Sequence, residues 1–403
     1  MPWSLRMLLS FTLASALFQY YVARKTVDAV ETVTGWKRGR IQRGVLAVIL
    51  WLVLYPLLML GGHFLRIPGL SRAFQQSNAV LDLLVTYPFW IGAILAVQLT
   101  IFLLLTDVAK LALYPLYRKH RARWNRVQAW VVVALVSVGA LYVAARVYND
   151  TFTVRTRETE LRIADLPPEL DGFRIVQIAD LQADGRTGNG KLQPYIDTVN
   201  GLNPDLILFG GDLVTSGTDY IEAGAQALGR MHARHGIYAC LGDHDFFSDR
   251  AKVKDSLERN GVTVLANVAA VVPVGSTYIS LSGVTNVYRS RANEHTLEAI
   301  ERQRVRGPIE IFLTHQPSLS IVSHAAEKGY DLFVAGHTHG GQIVFPLPGF
   351  LLTGSSFETD YVSGFYRVGS MMVSVNNGLG LTLAPVRYHA PAEVTFIVLK
   401  TAK

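Results

Sequence analysis

Only one cysteine, Cys240, occurs in 403 residues. That excludes an internal disulfide and any thiolate metal cluster, and its place inside the apolar run 236–241 reads as a small buried hydrophobe. Charge is also scarce: Asp, Glu, Lys and Arg make up 17% of the chain against 50% hydrophobic residues, more apolar than a soluble enzyme of this size requires. No Gly-x-Ser-x-Gly occurs, so the strained nucleophile turn of a serine hydrolase is missing. No basic stripe interleaved with aromatics follows residue 150, so nucleic acid is not an expected partner. The stretch 185–191 reads Gly-Arg-Thr-Gly-Asn-Gly-Lys, but Leu192 stands where a phosphate-binding loop needs Ser or Thr to hold magnesium. It reads instead as a loop at the rim of another site, with Arg186 or Lys191 toward a substrate. Internal repeats and low-complexity tracts are absent.

What is present divides the chain in two. Residues 1–150 carry 16 Lys/Arg against 5 Asp/Glu, net +11, and the remainder is net −4. Four apolar stretches fall in this first part, about 7–23, 45–65, 83–105 and 129–145, and a helix needs roughly 20 apolar residues to cross the hydrocarbon core. The expectation is an all-α, four-span membrane region over residues 1–148. The first stretch could instead be a signal peptide after Arg6, but Gln19-Tyr20-Tyr21 is a poor cleavage region. Trp124/Trp130 and Tyr142/Arg146 suit the two interfaces of the fourth. The first and third loops hold Arg24, Lys25, Lys37, Arg38, Arg40 and Arg43, and Lys110, Arg118, Lys119, Arg121, Arg123 and Arg126; the second has only Arg66 and Arg72. The positive-inside rule makes loops one and three cytoplasmic and the rest of the chain extracytoplasmic, in a multi-pass protein of the cell membrane. Anionic lipid would also satisfy those charges. Pro56 and Pro88 are expected to kink their spans, and Asp82 and Asp107 to serve packing and the interface.

After a linker at 149–160, residues 161–403 alternate short apolar strands with amphipathic helices, the pattern of a layered α/β domain. Strand-like runs are 174–179, 205–209, 236–241, 309–314, 331–335 and 371–375; helical ones are 220–234, 250–260, 294–304 and 319–328. The run 262–284 is expected to add antiparallel strands. The strand ends supply Asp180 and Gln182, then Asp212, then Asp243, His244 and Asp245, then His315, then His337 and His339. Ligands bind beyond the carboxyl ends of strands in open α/β sheets, so these side chains should converge. Asp and His drawn from five strand ends form the donor set of a dinuclear metal site. His337-x-His339 among glycines is the centre of that pattern, since both imidazoles can turn to one point.

These ordered blocks resemble the calcineurin-like metallophosphoesterases, whose pattern is Asp-x-His, Gly-Asp, Gly-Asn-His-Asp/Glu, a lone His and Gly-His-x-His. The resemblance covers about 161–399, and the ending Gly-His-Thr-His-Gly-Gly-Gln at 336–342 is similar to the membrane-associated bacterial members. It implies an α/β/β/α sandwich and two divalent metal ions, manganese, iron or zinc. It further implies that Asp180, Asp212 and His339 hold one metal, while Asp212 bridges to a second held by Asp243, His315 and His337. Two such ions roughly 4 Å apart can ready a bridging hydroxide for in-line attack on phosphorus. His244 then corresponds to the catalytic histidine that protonates the leaving oxygen, and Asp245 to the carboxylate that fixes its tautomer. Two positions depart from the pattern. Gln182 stands in place of His and, as a neutral amide, is a weaker ligand; Asp243 stands in place of Asn and adds a negative charge.

The expected function is hydrolysis of a phosphate ester by a membrane-anchored phosphodiesterase or phosphatase, on a lipid or cell-envelope substrate. Two rivals stand beside it. One is a hydrolase of lipid-linked pyrophosphates of the UDP-diacylglucosamine type. The other, invited by Gln182, is a receptor that binds metal or phosphate without turnover.

Overall fold

A computed structural model describes residues 3–402 except 68, 71–73, 75 and 77; Arg72 and Lys403 therefore lie outside the described residues. The chain divides into two compact units, Met1–Asn149 with Leu383–Val386, and Asp150–Thr382 with Arg387–Lys403.

The first unit is helical. Its main helices are Trp3–Thr34, Arg38–Leu52, Leu54–Phe64, Tyr87–Ala112 and Arg121–Phe152. The four expected spans become two or three among the described residues. Ala79–Ala112 and Tyr114–Phe152 are long and apolar enough to cross a membrane, and Arg38–Leu52 with Leu54–Phe64 forms a pair bent by 51°. Pro56 supplies the cause of that bend, because it cannot donate to the turn before it and its ring crowds that turn. Pro88 lies just after the π-helical turn Asp82–Thr86 inside the span Ala79–Ala112, and the Leu84 carbonyl that its missing N–H leaves free accepts from Trp51 Nε1 at 2.8 Å. The stretch 7–23 lies within a 32-residue helix but is diluted by Gln19, Tyr20 and Tyr21. Asp107 accepts hydrogen bonds from Tyr21 (2.7 Å) and Lys25 (2.5 Å), a packing role as expected.

The second unit is built on two six-stranded sheets. The first has the order β1-β14-β2-β3-β4-β5, with β1 Val154–Ile163, β2 Arg174–Ile178, β3 Leu206–Phe209, β4 Ile237–Ala239, β5 Val262–Val264 and β14 Ala392–Thr401. The second has the order β12-β13-β9-β8-β7-β6, with β6 Val268–Val274, β7 Thr277–Val284, β8 Glu310–Thr314, β9 Leu332–Ala335, β12 Gly364–Val368 and β13 Met371–Val375. A small hairpin, β10 Phe345–Leu347 and β11 Phe350–Leu352, stands apart.

Side chains alternate across each strand, and the layers follow from that period of two. Ile175, Leu206 and Leu208 face Ile311, Leu313, Leu332 and Val334 in a core between the sheets. Val176, Ile178, Ile207 and Phe209 turn the other way, toward side chains of helices Asn189–Gly201, Ile221–Gly229 and Arg250–Arg259. Phe312, Phe333 and Val373 pack against helices Glu294–Gln303 and Leu319–Glu327 on the far side. Cys240 lies buried in the central core, as its apolar surroundings implied.

Two boundaries differ from expectation. The linker at 149–160 is a strand over its second half, since β1 pairs parallel with β14 from Val154 to Ile163. Its charged, mostly exposed residues belong to an edge strand, where charge blunts further pairing. The run 262–284 splits between the sheets: β6 and β7 are antiparallel as expected, but β5 joins the first sheet parallel to β4.

Candidate metal centre

Strands β2, β3 and β4 run parallel in one sheet, and β8 and β9 run parallel in the other. The residues just beyond their carboxyl ends form the site. Asp180, Gln182, Asp212, His337 and His339 all adopt positive φ, between 49° and 73°, a conformation disfavoured for residues with a Cβ. Five such residues at five points of one small region are backbone strain held in place by the surrounding fold. Close approach adds to it. A Cβ on Gly242 would lie 2.2 Å from Asp212 Oδ1, and one on Gly336 would lie 2.6 Å from Asp180 Oδ2.

Two groups of three side chains come within metal-ligating reach, Asp243/His315/His337 and Asp180/Asp212/His315. His315 is common to both, whereas the family pattern makes Asp212 the shared member. Its Nε2 lies 3.5 Å from Asp212 Oδ2 and 3.4 Å from Asp243 Oδ2. Its Nδ1–H donates to the Gly210 carbonyl at 2.7 Å, which fixes the ring and leaves Nε2 facing the carboxylates. His337 presents Nδ1 to Asp243 Oδ2 at 3.0 Å, while its Nε2 is 3.3 Å from Glu358. His339 Nε2 is 3.5 Å from Asp180 Oδ1. Asp212 accepts from Gln182 Nε2 (2.9 Å) and from the backbone N–H of His244 (2.8 Å).

The donor set fits divalent cations. Burial raises the Asp180 carboxyl to about 7, His315 opposing and Asp212 adding to the rise. Burial alone would lower His315, yet Asp212, Asp243 and Asp180 hold it well above the usual histidine range. Against burial, His315 and His337 keep Asp243 well below the ordinary carboxylate range. Clustered carboxylates that hold protons on their imidazole neighbours form a site short of positive charge. Two buried polar atoms, Gln182 Oε1 and His339 Nδ1, also have no hydrogen-bond partner. An amide oxygen and an imidazole nitrogen are both metal donors, so Gln182 keeps a ligand atom free although its amide nitrogen is engaged.

This chemistry gives a testable pH dependence. His337 is pushed up to about 8, burial opposing and Asp243 and Glu358 raising it, and burial with Asp212 raises Asp245 to about 7. Between about pH 6.5 and 8 the folded metal-free protein still holds protons on His315 and His337, while Asp180 and Asp245 give theirs up as pH rises through about 7. The unfolded chain releases them at lower pH, its carboxyls near 4 and its histidines near 6.5; His339, which burial and Arg387 hold well below the histidine range, acts in the opposite sense, but only near pH 6.5. All four contributions have one sign, so metal-free stability falls as pH rises through that window. Bound cations displace those protons. The gap in Tm between manganese-loaded and metal-free protein is expected to widen from pH 6.5 to 8 in thermal melts; a constant or shrinking gap contradicts this.

His244 and Asp245 begin the short helix Asp243–Ser248. The expected pairing between them is replaced by another arrangement. His244 Nδ1–H donates to the Thr215 carbonyl at 2.5 Å. Asp245 is fully buried and accepts from three backbone N–H groups, those of Asp212 (3.0 Å), Leu213 (2.9 Å) and Gly242 (2.8 Å). A carboxylate in the first helical turn that reaches back to the chain entering the helix is a capping device, which accounts for the change. The loop 185–191 is headed by Asp184, which caps the N–H groups of Arg186 and Thr187.

Several contributors carry no local signal in the sequence. Gln316 Nε2 and the Tyr288 N–H each donate to Asp243 at 2.6 Å. Glu358 joins His337 to the Tyr288 hydroxyl, which donates to it at 2.7 Å. Arg387, fully buried, donates to the carbonyls of His339, Asn377, Gly378, Gly380 and Ala390, and so ties the His339 turn to the 377–380 turn that borders Asp180. Of these, only Gln316, adjacent to His315, was within reach of motif reading.

The fold and the donor set together define a layered α/β domain with a candidate metal centre at the carboxyl ends of its strands. Residues 173–341 match the profile of the calcineurin-like phosphoesterases, and the chain belongs to that family. It is 32% identical over 283 residues to a zebrafish (Danio rerio) "transmembrane protein with metallophosphoesterase domain", covering 67% of this chain and 63% of the relative. It is 29% identical over 271 residues to the Bacillus subtilis metallophosphoesterase YkuE, covering 66% of this chain and 92% of the relative. The chain thus spans somewhat under two thirds of the zebrafish protein's length. Among solved structures, an archaeal phosphodiesterase is similar at 14% identity and a TM-score of 0.30, over 51% of this chain and 84% of that one.

Proposed function

We propose that the second unit is a metal-dependent hydrolase of phosphate esters, a phosphodiesterase or phosphatase, tethered at a membrane and acting on a lipid or cell-envelope substrate. The observation that carries the reading is the pair of three-residue donor groups joined through His315. In this reading Asp180, Gln182, Asp212, Asp243, His315, His337 and His339 hold two divalent ions, manganese, iron or zinc. When bound, such ions supply positive charge to phosphoryl oxygens and acidify water.

The chain's own residues do the rest. Gly210 and Glu358 orient the two imidazoles of the Asp243/His315/His337 group. The Thr215 carbonyl takes the Nδ1 proton of His244, so Nε2 is the nitrogen that gains and loses a proton, and His244 is assigned protonation of the leaving oxygen. Asp245 acts indirectly, by holding the Asp212 and Gly242 backbone.

The basic residues of 110–126 flank and begin the last span, ahead of its apolar part, so the positive-inside rule supports an extracytoplasmic second unit whether two or three spans are present. Tethering would concentrate the enzyme where lipid and envelope phosphates reside.

Full-length protein in detergent, given manganese and bis-p-nitrophenyl phosphate, tests the reading. Metal-dependent release of p-nitrophenol is expected, with His244→Ala slower by about 10²–10⁴-fold, the range of a general acid. Tight metal binding with no turnover would favour a receptor and end the hydrolase reading.

A further inference from the structure

Beside the metal centre, the segment between β7 and helix Glu294–Gln303 carries Tyr288, Arg289 and Arg291, all exposed. It is pinned to the site by the Tyr288 N–H on Asp243. The arginines are arranged alike. Arg289 Cζ lies 4.9 Å from the Phe247 ring centre, and Phe247 stands edge-on to His244 at 6.0 Å. Arg291 Cζ lies 5.1 Å from the Tyr288 ring centre, and Tyr288 stands edge-on to His337 at 5.5 Å. Each guanidinium is therefore one aromatic ring away from a histidine of the centre.

Both keep most of their donors free. Arg289 gives one N–H to the Phe246 carbonyl (3.3 Å), and Arg291 gives one to Gln316 Oε1, whose amide nitrogen holds Asp243. A guanidinium has five N–H donors, and among the described residues neither is paired with a carboxylate. The nearby Glu358 is engaged by Tyr288 and His337. Stacking on a ring orients a guanidinium while leaving its edge open for bidentate binding of an oxyanion. The scissile phosphate is already provided for by the cations that the ligand set would hold and by His244, so two further oriented cations at the rim imply a second negative group on the ligand.

We propose that Arg289 and Arg291 select phosphate esters bearing a second anionic group, such as another phosphate, and bind that group; the proposal rests on the hydrolase reading of the same centre. Two probes that differ by one phosphate test it, thymidine 5′-monophosphate and thymidine 3′,5′-bisphosphate. Each is titrated calorimetrically into the full-length manganese-loaded protein. The wild type is expected to bind the bisphosphate about tenfold or more tightly than the monophosphate. In the Arg289→Gln/Arg291→Gln variant that ratio should fall to about two or less, and the double Lys variant should recover part of it. A wild-type ratio near one, or a ratio unchanged in the Gln variant, overturns the proposal. The same ratios are read in the His244→Ala background, where turnover is slowed, so the result stands apart from any failure of bis-p-nitrophenyl phosphate hydrolysis.

Discussion

An Asp212→Asn variant is expected to lose more than about 100-fold in metal-dependent hydrolysis, because even an outer partner of a metal ligand commonly costs 10–100-fold when removed. Its metal-free form should nevertheless unfold at about the same temperature as the wild type. Asp212 adds to the repulsion that raises the Asp180 and Asp245 carboxyls but also attracts protonated His315, so neutralising it removes an unfavourable and a favourable contribution together. The asparagine oxygen can still accept from the His244 N–H. On the other side Gln182 can turn its unpartnered Oε1 toward the new amide nitrogen. Activity and stability should therefore part company, and steady-state kinetics beside thermal melts in EDTA will show it. A variant that loses both together would mean that Asp212 is structural and the ligand assignment is wrong.

Asp245 should behave in the opposite way. Removing its carboxylate in Asp245→Ala strands three buried N–H groups, each costing about 1–3 kcal/mol, for a loss of roughly 3 kcal/mol or more. That is a large share of the roughly 5–15 kcal/mol that holds a typical domain folded. Asp245→Asn should also destabilise, since an amide nitrogen would face backbone donors. Urea denaturation measures both. If Asp245→Asn keeps its stability and instead shifts the pH optimum, the carboxylate is acting on His244, and the capping account fails.

The contrast between these two aspartates shows what could be read from the chain. Asp180, Asp212, Asp243, His315, His337 and His339 were legible because each follows an apolar run, and parallel strands bring their carboxyl ends together. The layered α/β class followed from the same alternation. The partners of Asp245 were not legible because adjacency to His244 in sequence is no guide inside a helical turn, where residue three reaches back to the cap. Glu358, Tyr288 and Arg387 lie in connecting segments with no periodicity, and their positions depend on the packing of both sheets. β1 looked like a linker because an exposed edge strand carries the charge of a loop. In the helical part, hydropathy located the apolar stretches, but it could not weigh the break near Pro56 or the dilution by Gln19–Tyr21.

The most direct test of the central claim is to locate the metal itself, by anomalous diffraction at the manganese edge from crystals of the manganese-loaded protein. Two peaks are expected on either side of His315, one beside Asp180 and Asp212 with His339 and Gln182 Oε1 near it, and one beside Asp243 and His337. Peaks elsewhere, or no manganese within reach of these side chains, would contradict the account.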